Sequence, residues 1–257
     1  MTYHSPFDYQ REPPCFHGFR SILTYNPEET LNEHLLLTCE AIERYLGIQT
    51  YIPENISLKS PDRWNRPGRL GYYDPINKII VLGPKGCRKT LIHEILHSLS
   101  YFCQDQRLMK VMKSELEFFE GINEYFTGYV LYKKCKCCFN NWIQSRYPNC
   151  NISYVGSVRL IGAVIKILIS IKELAKIYFY HPRKDWFEAY REFLEKYQLR
   201  DFIINKPRKI PSITMLQSSI TEIVLKKHGE QGKKEFIELV SEAPLETVLD
   251  YASILTP

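Results

Sequence analysis

Residues 78–97 read KIIVLGPKGCRKTLIHEILH, and this stretch contains the features that decide the fold. The short apolar run Lys78–Leu82 is typical of a strand. Gly83–Gly86 (GPKG) is typical of a turn, and the residues that follow begin a helix that we expect to run from about 89 to 103. The sequence therefore predicts a strand, a turn and a helix in direct succession.

The turn also contains part of a nucleotide-binding P-loop pattern. That pattern has four residues between its two glycines, followed by Lys and Ser or Thr, because backbone N–H groups must curl around a phosphate. Here only Pro84 and Lys85 separate the glycines, and Arg88 precedes Lys89 where the pattern has a glycine. We therefore predict no nucleotide site, and we expect Lys89 and Thr90 to lie near the helix N-terminus.

The predicted helix contains the pentapeptide HEILH at residues 93–97, which has the HExxH form of zinc hydrolases. Because residues four apart share a helix face, the imidazoles of His93 and His97 can bind one ion. Glu94 lies about 100° further round the helix, where it can reach a water molecule on that ion without being a ligand. Zn²⁺ suits two histidines, one carboxylate and an open position. We predict a zinc site in which Glu94 is the general base.

An alternative is a helix of the hydrophobic core whose histidines are hydrogen-bonded. Two histidines and a glutamate in an apolar helix cost free energy unless their polar atoms are satisfied. A metal ion satisfies them directly, so we prefer the metal site. The apolar residues on the other sides of this helix are Leu91, Ile92, Ile95, Leu96 and Leu99.

A third ligand is expected from a second predicted helix, which runs from about 108 to 134. Residues 120–127 of this helix read EGINEYFT. Together with HExxH, this string resembles the gluzincins, the group of zinc peptidases that includes thermolysin and the aminopeptidase N family. The resemblance covers residues 78 to about 130.

The resemblance implies a zincin-like fold and a complete site. It implies that His93, His97 and Glu120 bind zinc, and that a ligand histidine donates a hydrogen bond to Glu124, one helical turn after Glu120. It also implies hydrolysis of peptide bonds by a metal-activated water with Glu94 as general base. The alternative for Glu124 is a solvated helix face.

Other residues compete for the position of the third ligand. Glu115 and Glu117 lie on the same predicted helix, but the residues four positions after them cannot serve as a carboxylate partner. Cys103 lies where a metzincin has its last histidine, but Ser100 replaces the glycine of that pattern. A solvated helix face is the better interpretation for Glu115 and Glu117, so Glu120 remains the predicted ligand.

A peptidase also needs a donor that stabilises the oxyanion of its tetrahedral intermediate. The resemblance implies a Tyr or His from a downstream helix. We predict Tyr154 in this catalytic role, with Tyr178, Tyr180 and His181 as alternatives. In a chain with eighteen tyrosines, packing in the core is the competing interpretation for Tyr154.

The resemblance also bears on the substrate. In zincins the strand before the HExxH helix is an edge strand that pairs with an extended substrate, and this role is implied for Lys78–Leu82. The GxMxN-type motif with which the aminopeptidase N family binds a free amine is absent before His93. We therefore expect an endopeptidase more than an aminopeptidase, with a peptide or protein as its partner.

The chain has eight cysteines, and four of them lie close together. These four could form a structural zinc site or a local disulfide, or they could remain thiols. Cys15 and His17, in an N-terminal segment that we interpret as a loop, are also able to bind the zinc as an inhibitory prosegment. The clustered cysteines are Cys135, Cys137, Cys138 and Cys150.

Strands early and helices later predict an α+β protein. We divide it into an N-terminal extension (1–25), a zincin-like catalytic subdomain with a small sheet (26–134) and a mainly helical C-terminal subdomain (135–257). Residues 58–77 are rich in Pro, Gly, Asn and Asp and are expected to be loop. Further helices are predicted at 27–46, 154–180, 185–197, 212–228, 232–241 and 244–255.

The composition is that of a globular protein, with 257 residues, 44% apolar and 25% charged. The net charge of +5 is dispersed, so nucleic-acid binding is not expected. The most apolar segment, Tyr154–Leu174, contains Arg159, Lys166 and Lys172, which argue against a membrane span. The start of the sequence has no apolar secretory signal, so we expect a cytoplasmic protein.

Two other functions compete with a peptidase. The first is a catalytically inactive protein with a zinc-stabilised core that acts as an interaction or toxin-like module. Glu94 argues against this function, because a structural site has no use for a base. The second is a nucleic-acid-associated protease, for which the positive charge is weak support and the expected third histidine is missing.

Overall fold

The computed structural model describes residues 27–50, 52, 55–59, 70–100, 116–144, 153–179 and 213–251. These parts of the chain are rich in helices and contain a three-stranded mixed sheet, which confirms the α+β class. The helices are α1 (Pro27–Leu46), α2 (Arg88–Leu99), α3 (Leu116–Lys134), α4 (Lys136–Ile143), α5 (Val155–Ile167), α6 (Ile171–Phe179), α7 (Ile213–Ser241) and α8 (Leu245–Val248). The strands are β1 (Ser57–Lys59), β2 (Gly71–Asp74) and β3 (Ile79–Leu82).

The strand before the HExxH helix lies at the centre of the sheet. The strand order is β1-β3-β2, with β1 parallel to β3 and β2 antiparallel to it. The expected strand Lys78–Leu82 is therefore confirmed as β3, but its expected position at an edge is wrong. Both sides of β3 carry a partner strand, so β3 cannot add an extended substrate by strand pairing.

The stretch 58–77, expected to be loop, contains β2. Tyr72 and Tyr73 are residues that favour strands, and here they pair with β3. This strand was not predicted because it is short and is followed by residues typical of turns. The turn itself is built by Asp74, whose carboxylate accepts hydrogen bonds from the backbone N–H groups of Ile76 and Asn77 at 3.0 and 3.1 Å.

The chain forms two compact units, and each is described by itself below. Unit 1 comprises Met1–Tyr45, Ile52–Leu99 and Phe126–Ile152, and unit 2 comprises Leu46–Tyr51, Ser100–Tyr125 and Ser153–Pro257. The helix α3 is continuous through the change from unit 2 to unit 1. The predicted subdomains 26–134 and 135–257 remain a prediction.

In unit 1, the helix α2 packs on the strands β2 and β3 and is anchored to α1 at its N-terminal end. The Arg88 side chain donates through Nε to Nε2 of His34 at 2.8 Å, and both side chains are buried. Nδ1 of His34 is 2.8 Å from the carbonyl oxygen of Thr30. Because a carbonyl only accepts and a guanidinium only donates, His34 is neutral and carries its proton on Nδ1.

The second half of α3 is also held against α1 within unit 1. Nζ of Lys134 is 2.6 Å from the carboxylate of Glu40, and Nζ of Lys133 lies 4.7 Å from the centre of the Tyr45 ring. Contacts of this kind between a cation and a ring face are attractive. They hold the second half of α3, which includes Thr127, against α1.

Replacing His34 is expected to change how stability depends on pH. Burial, and then the nearby Arg88 cation, lower the pKa of His34 from 6.5 to about 4. The unfolded state therefore binds more protons than the folded state between these values, so stability present above about pH 6.5 is lost as the pH falls toward 4. At about 1.4 kcal/mol per pKa unit, this loss is about 3 kcal/mol.

Denaturant unfolding of wild type and His34→Gln between about pH 7 and pH 4 measures this effect. Glutamine is neutral throughout the window and can accept from Arg88, so the variant should lose less stability than wild type as the pH falls. Equal losses in the two proteins would contradict the assignment.

In unit 2, the helix α5 packs against α7 and α8. The Arg159 guanidinium donates to the carbonyl oxygen of Ala243 at 2.6 Å. A Cβ atom on Gly162 would collide with Val248 of α8, so a glycine is needed where these helices meet. These contacts make α5 part of a helical core, as the sequence predicts for the C-terminal half.

The single helix predicted for 154–180 is wrong, because the chain breaks between α5 and α6. Ser170 accepts from the N–H of Glu173 at 3.1 Å, and the Glu173 carboxylate accepts from the N–H of Ser170 at 2.9 Å. This reciprocal pair is a capping box, which starts a new helix. Further along the chain, Gly229 has a positive φ of 68° and interrupts α7, as predicted for a helix ending before it.

Among the clustered cysteines, Cys135 and Cys138 form a disulfide at the start of α4. Of the three alternatives for the cluster, the local disulfide is therefore present for this pair. No helix in the described ranges is both long and apolar enough to cross a membrane. The predicted location in the cytoplasm remains a prediction.

Several predicted features lie outside the described residues. They are the N-terminal extension with Cys15 and His17, the residues Cys103, Glu115, Cys150, Tyr180 and His181, and the helix at 185–197.

Candidate metal centre

The helix α2, which contains the HExxH residues, begins directly after the predicted turn. The N–H of Gly86 donates to the carbonyl oxygen of Gly83 at 2.9 Å, which confirms the turn Gly83–Gly86. The hydroxyl of Thr90 then accepts from the N–H of Cys87 at 3.3 Å and satisfies a donor at the helix start. The turn and this cap together determine where α2 begins after β3.

His93 and His97 lie on one face of α2, as their spacing predicts. Their rings meet edge to face, with centroids 4.8 Å apart and an angle of 80° between the planes. His93 is buried, whereas His97 is half-buried. One imidazole is therefore held inside the protein and the other lies closer to solvent.

Glu120, in the first turns of α3, lies close to the two histidines and forms a group of three possible metal ligands with them. One ligand atom from each of His93, His97 and Glu120 lies within 4.8 Å of the other two. Within the described ranges this is the group of three or more His, Cys, Asp or Glu residues that could hold a metal ion. The residues predicted from HExxH and from the EGINEYFT string are thus brought together.

The structure does not describe the competing candidates for the third ligand. The side chain of Glu117 and the residues Glu115 and Cys103 lie outside the described part of the structure. Glu94, the predicted base, follows His93 directly and is buried, with 7% of its surface exposed. A carboxylate beside the grouped histidines is a group that can accept a proton.

Thr127 contacts His93 from α3, and the sequence pattern did not identify it. The Thr127 hydroxyl oxygen is 3.4 Å from Nδ1 of His93, and both side chains are buried. Thr127 is seven residues after Glu120, so the two lie on the same face of α3, two turns apart. The face of α3 that contacts His93 is therefore the one that carries Glu120.

Glu124 is fully buried on α3, and its carboxylate accepts a hydrogen bond from the N–H of Ser153 at 2.9 Å. This bond ties the start of α5 to the turn of α3 that follows Glu120. The predicted hydrogen bond from a ligand histidine to Glu124 remains a prediction. The bond to Ser153 could not be predicted, because it joins residues 29 positions apart.

Tyr154, the predicted oxyanion donor, follows Ser153 and is 44% exposed. Its backbone has φ 54° and ψ 41°, the left-handed conformation that a tyrosine rarely adopts. Such strained residues cluster at functional sites. The alternative Tyr178 is instead buried, with its hydroxyl donating to Oδ1 of Asn123 at 3.2 Å. Of the two, Tyr154 is the one that is exposed to solvent.

The glycine in the EGINEYFT string, Gly121, is required by the packing of α3 against α5. A Cβ atom at this position would collide with Ser157 of α5, including its backbone. Only glycine therefore allows α3 and α5 to approach this closely beside Glu120 and Glu124. Since Ser157 follows Tyr154 by one helical turn, the same contact helps to set the position of Tyr154.

The three donor groups suit a metal ion such as zinc. Two imidazoles and one carboxylate are the ligands of zinc sites that keep one coordination position open, with bonds of about 2.0–2.2 Å. Because His97 and Glu120 are partly exposed, an ion and its fourth ligand have access to the group.

Comparison with protein-family models, with curated proteins and with solved structures finds no match to this chain.

Proposed function

We propose that this protein is a zinc-dependent metallopeptidase with a zincin-like catalytic region. The observation that carries the proposal is the convergence of His93, His97 and Glu120 with a buried Glu94 next to the first ligand. Two imidazoles and a carboxylate hold an ion with an open position, and a carboxylate at the next residue supplies the base that hydrolysis needs.

The roles of the residues follow from their chemistry. A zinc ion on His93, His97 and Glu120 would supply a Lewis acid that makes water acidic and polarises a carbonyl group. Glu94 accepts a proton from the attacking water and passes it to the leaving amine. The hydroxyl of Tyr154 donates to the oxyanion that develops on the scissile carbonyl.

The proposed substrate is a peptide or a protein, cleaved by an endopeptidase. The missing amine-binding motif before His93 supports this choice over an aminopeptidase. Because β3 is the central strand, an extended substrate cannot pair with it. We therefore expect the substrate to be oriented by other backbone groups and by side chains near Tyr154.

Zinc content and peptide cleavage, measured on the same preparation, test the proposal. We expect about one zinc ion per chain and cleavage of a peptide library that stops when a chelator removes the metal and returns when zinc is added. Peptide fragments identified by mass spectrometry give the cleavage position. Zinc without cleavage would support the inactive interaction module, and the absence of bound zinc would contradict both functions.

A further inference from the structure

We propose that Thr127 is a positioning residue that holds the proton of His93 on Nδ1 and leaves Nε2 to bind the metal. This inference rests on the proposed metal centre and identifies a residue outside its ligand set. The contact that carries it is the 3.4 Å separation between the Thr127 hydroxyl oxygen and Nδ1 of His93. Both residues are buried, so water does not compete for this contact.

The two ring nitrogens of a neutral histidine have different roles. One carries a proton and donates, and the other has a lone pair and can bind a metal. A group that accepts a hydrogen bond at Nδ1 therefore leaves Nε2, on the other side of the ring, as the ligand. A group that donates to Nδ1 would place the proton on Nε2 and block it. The direction of the Thr127 contact decides which nitrogen is available.

The helical setting of Thr127 indicates that its oxygen is the acceptor. A threonine within a helix can donate its hydroxyl proton to the carbonyl group four residues before it. Two other helical threonines of this chain do so: Thr38 donates to the carbonyl oxygen of His34 and Thr221 to that of Gln217, both at 2.7 Å. By analogy with these two threonines, we infer that Thr127 donates its proton to the carbonyl group of Asn123, four residues earlier, and offers a lone pair to His93.

His34 provides an internal precedent for this arrangement. Its Nδ1 faces the carbonyl oxygen of Thr30, and its Nε2 accepts a hydrogen bond from the cationic side chain of Arg88. An acceptor at Nδ1 thus turns Nε2 toward a positive group in the same unit of the protein. At His93 we infer the same division, with a metal cation in place of the guanidinium.

The position of Thr127 on α3 also suits its proposed role of orienting His93. Thr127 and Glu120 are two turns apart on one face of α3. A single helix thus supplies a ligand at one end of the group and an acceptor for a ligand histidine at the other. Thr127 would therefore hold His93 in orientation before the ion arrives.

Two readouts test the inference, with three variants for comparison and a fourth, His93→Gln, for assignment. Histidine-selective ¹⁵N NMR of the metal-free protein reports the tautomer of His93, with His93→Gln used to assign its signals. Competition with a chromophoric chelator reports zinc affinity. Thr127→Val keeps the shape but removes the acceptor, Thr127→Ser keeps the acceptor, and Thr38→Val removes an equally buried helical hydroxyl on α1.

We expect the Nδ1–H tautomer at His93 in wild type and in Thr127→Ser. In Thr127→Val we expect a mixture of tautomers and zinc binding that is about 10- to 100-fold weaker. Thr38→Val should bind zinc like wild type, and Thr127→Ser should restore most of the affinity lost in Thr127→Val.

An Nε2–H tautomer at His93 in metal-free wild type would overturn the inference, and this readout needs no Thr127 variant to fold. Unchanged tautomer and affinity in Thr127→Val would also overturn it. If wild type binds no zinc, the proposed function fails, whereas the tautomer measurement still decides the role of Thr127.

Discussion

Glu94→Gln is expected to bind zinc like wild type and to lose about 10²- to 10⁴-fold in peptide cleavage, the range that a general base contributes. Glutamine has the shape of glutamate but cannot accept the proton of the attacking water. Glu94 is not one of the grouped ligands, so the metal should be retained. Zinc content by metal analysis and kcat/KM on a peptide found in the library measure the two quantities.

Glu235→Gln is the matched control for this variant. Glu235 is exposed on α7, so the same chemical change there should alter neither zinc content nor cleavage. A Glu94→Gln variant with wild-type activity would remove Glu94 from the mechanism. A variant that loses its zinc together with its activity would instead indicate that Glu94 supports the metal.

Glu120→Ala is expected to weaken zinc binding by more than the roughly 10- to 100-fold that changes around a metal site usually cost, because here a ligand itself is lost. Two histidines alone leave the ion with too few protein ligands for a stable site. Cleavage should fall in parallel and recover in part when zinc is raised. Chelator competition measures the affinity.

Glu120→Gln and Glu222→Ala accompany this experiment. Glu120→Gln preserves the packing of α3 and should also lose affinity, since a neutral amide is a poorer ligand than a carboxylate. Glu222 is exposed on α7, and its replacement should have no effect on zinc. Full zinc affinity in both Glu120 variants would move the third ligand to another residue.

The sequence predicts the site better than its surroundings. His93 and His97 are four apart on one helix, and Glu120 lies in the string that resembles the gluzincins. Spacing and resemblance were therefore sufficient to select three residues that the structure brings together. Thr127 has no local signal, because its contact with His93 joins two helices. The bond between Glu124 and Ser153 is of the same kind. Such contacts depend on tertiary packing, which a single sequence does not specify.

In the fold, too, features with a clear local sequence signal could be predicted, whereas features set by contacts between distant residues could not. The break between α5 and α6 has a local signal, the capping box Ser170-x-x-Glu173, but the continuous apolar pattern concealed it. The strand β2 was missed because it is four residues long and lies among turn residues. The central position of β3 depends on pairing with strands distant in sequence, so a pattern in β3 alone could not reveal it.

An anomalous difference map at the zinc absorption edge, from crystals of the wild-type protein grown with zinc, tests the metal centre most directly. We expect one peak bonded to a nitrogen of His93, a nitrogen of His97 and a carboxylate oxygen of Glu120, each at about 2.0–2.2 Å. A map in which these three side chains point apart with no peak among them would contradict the account.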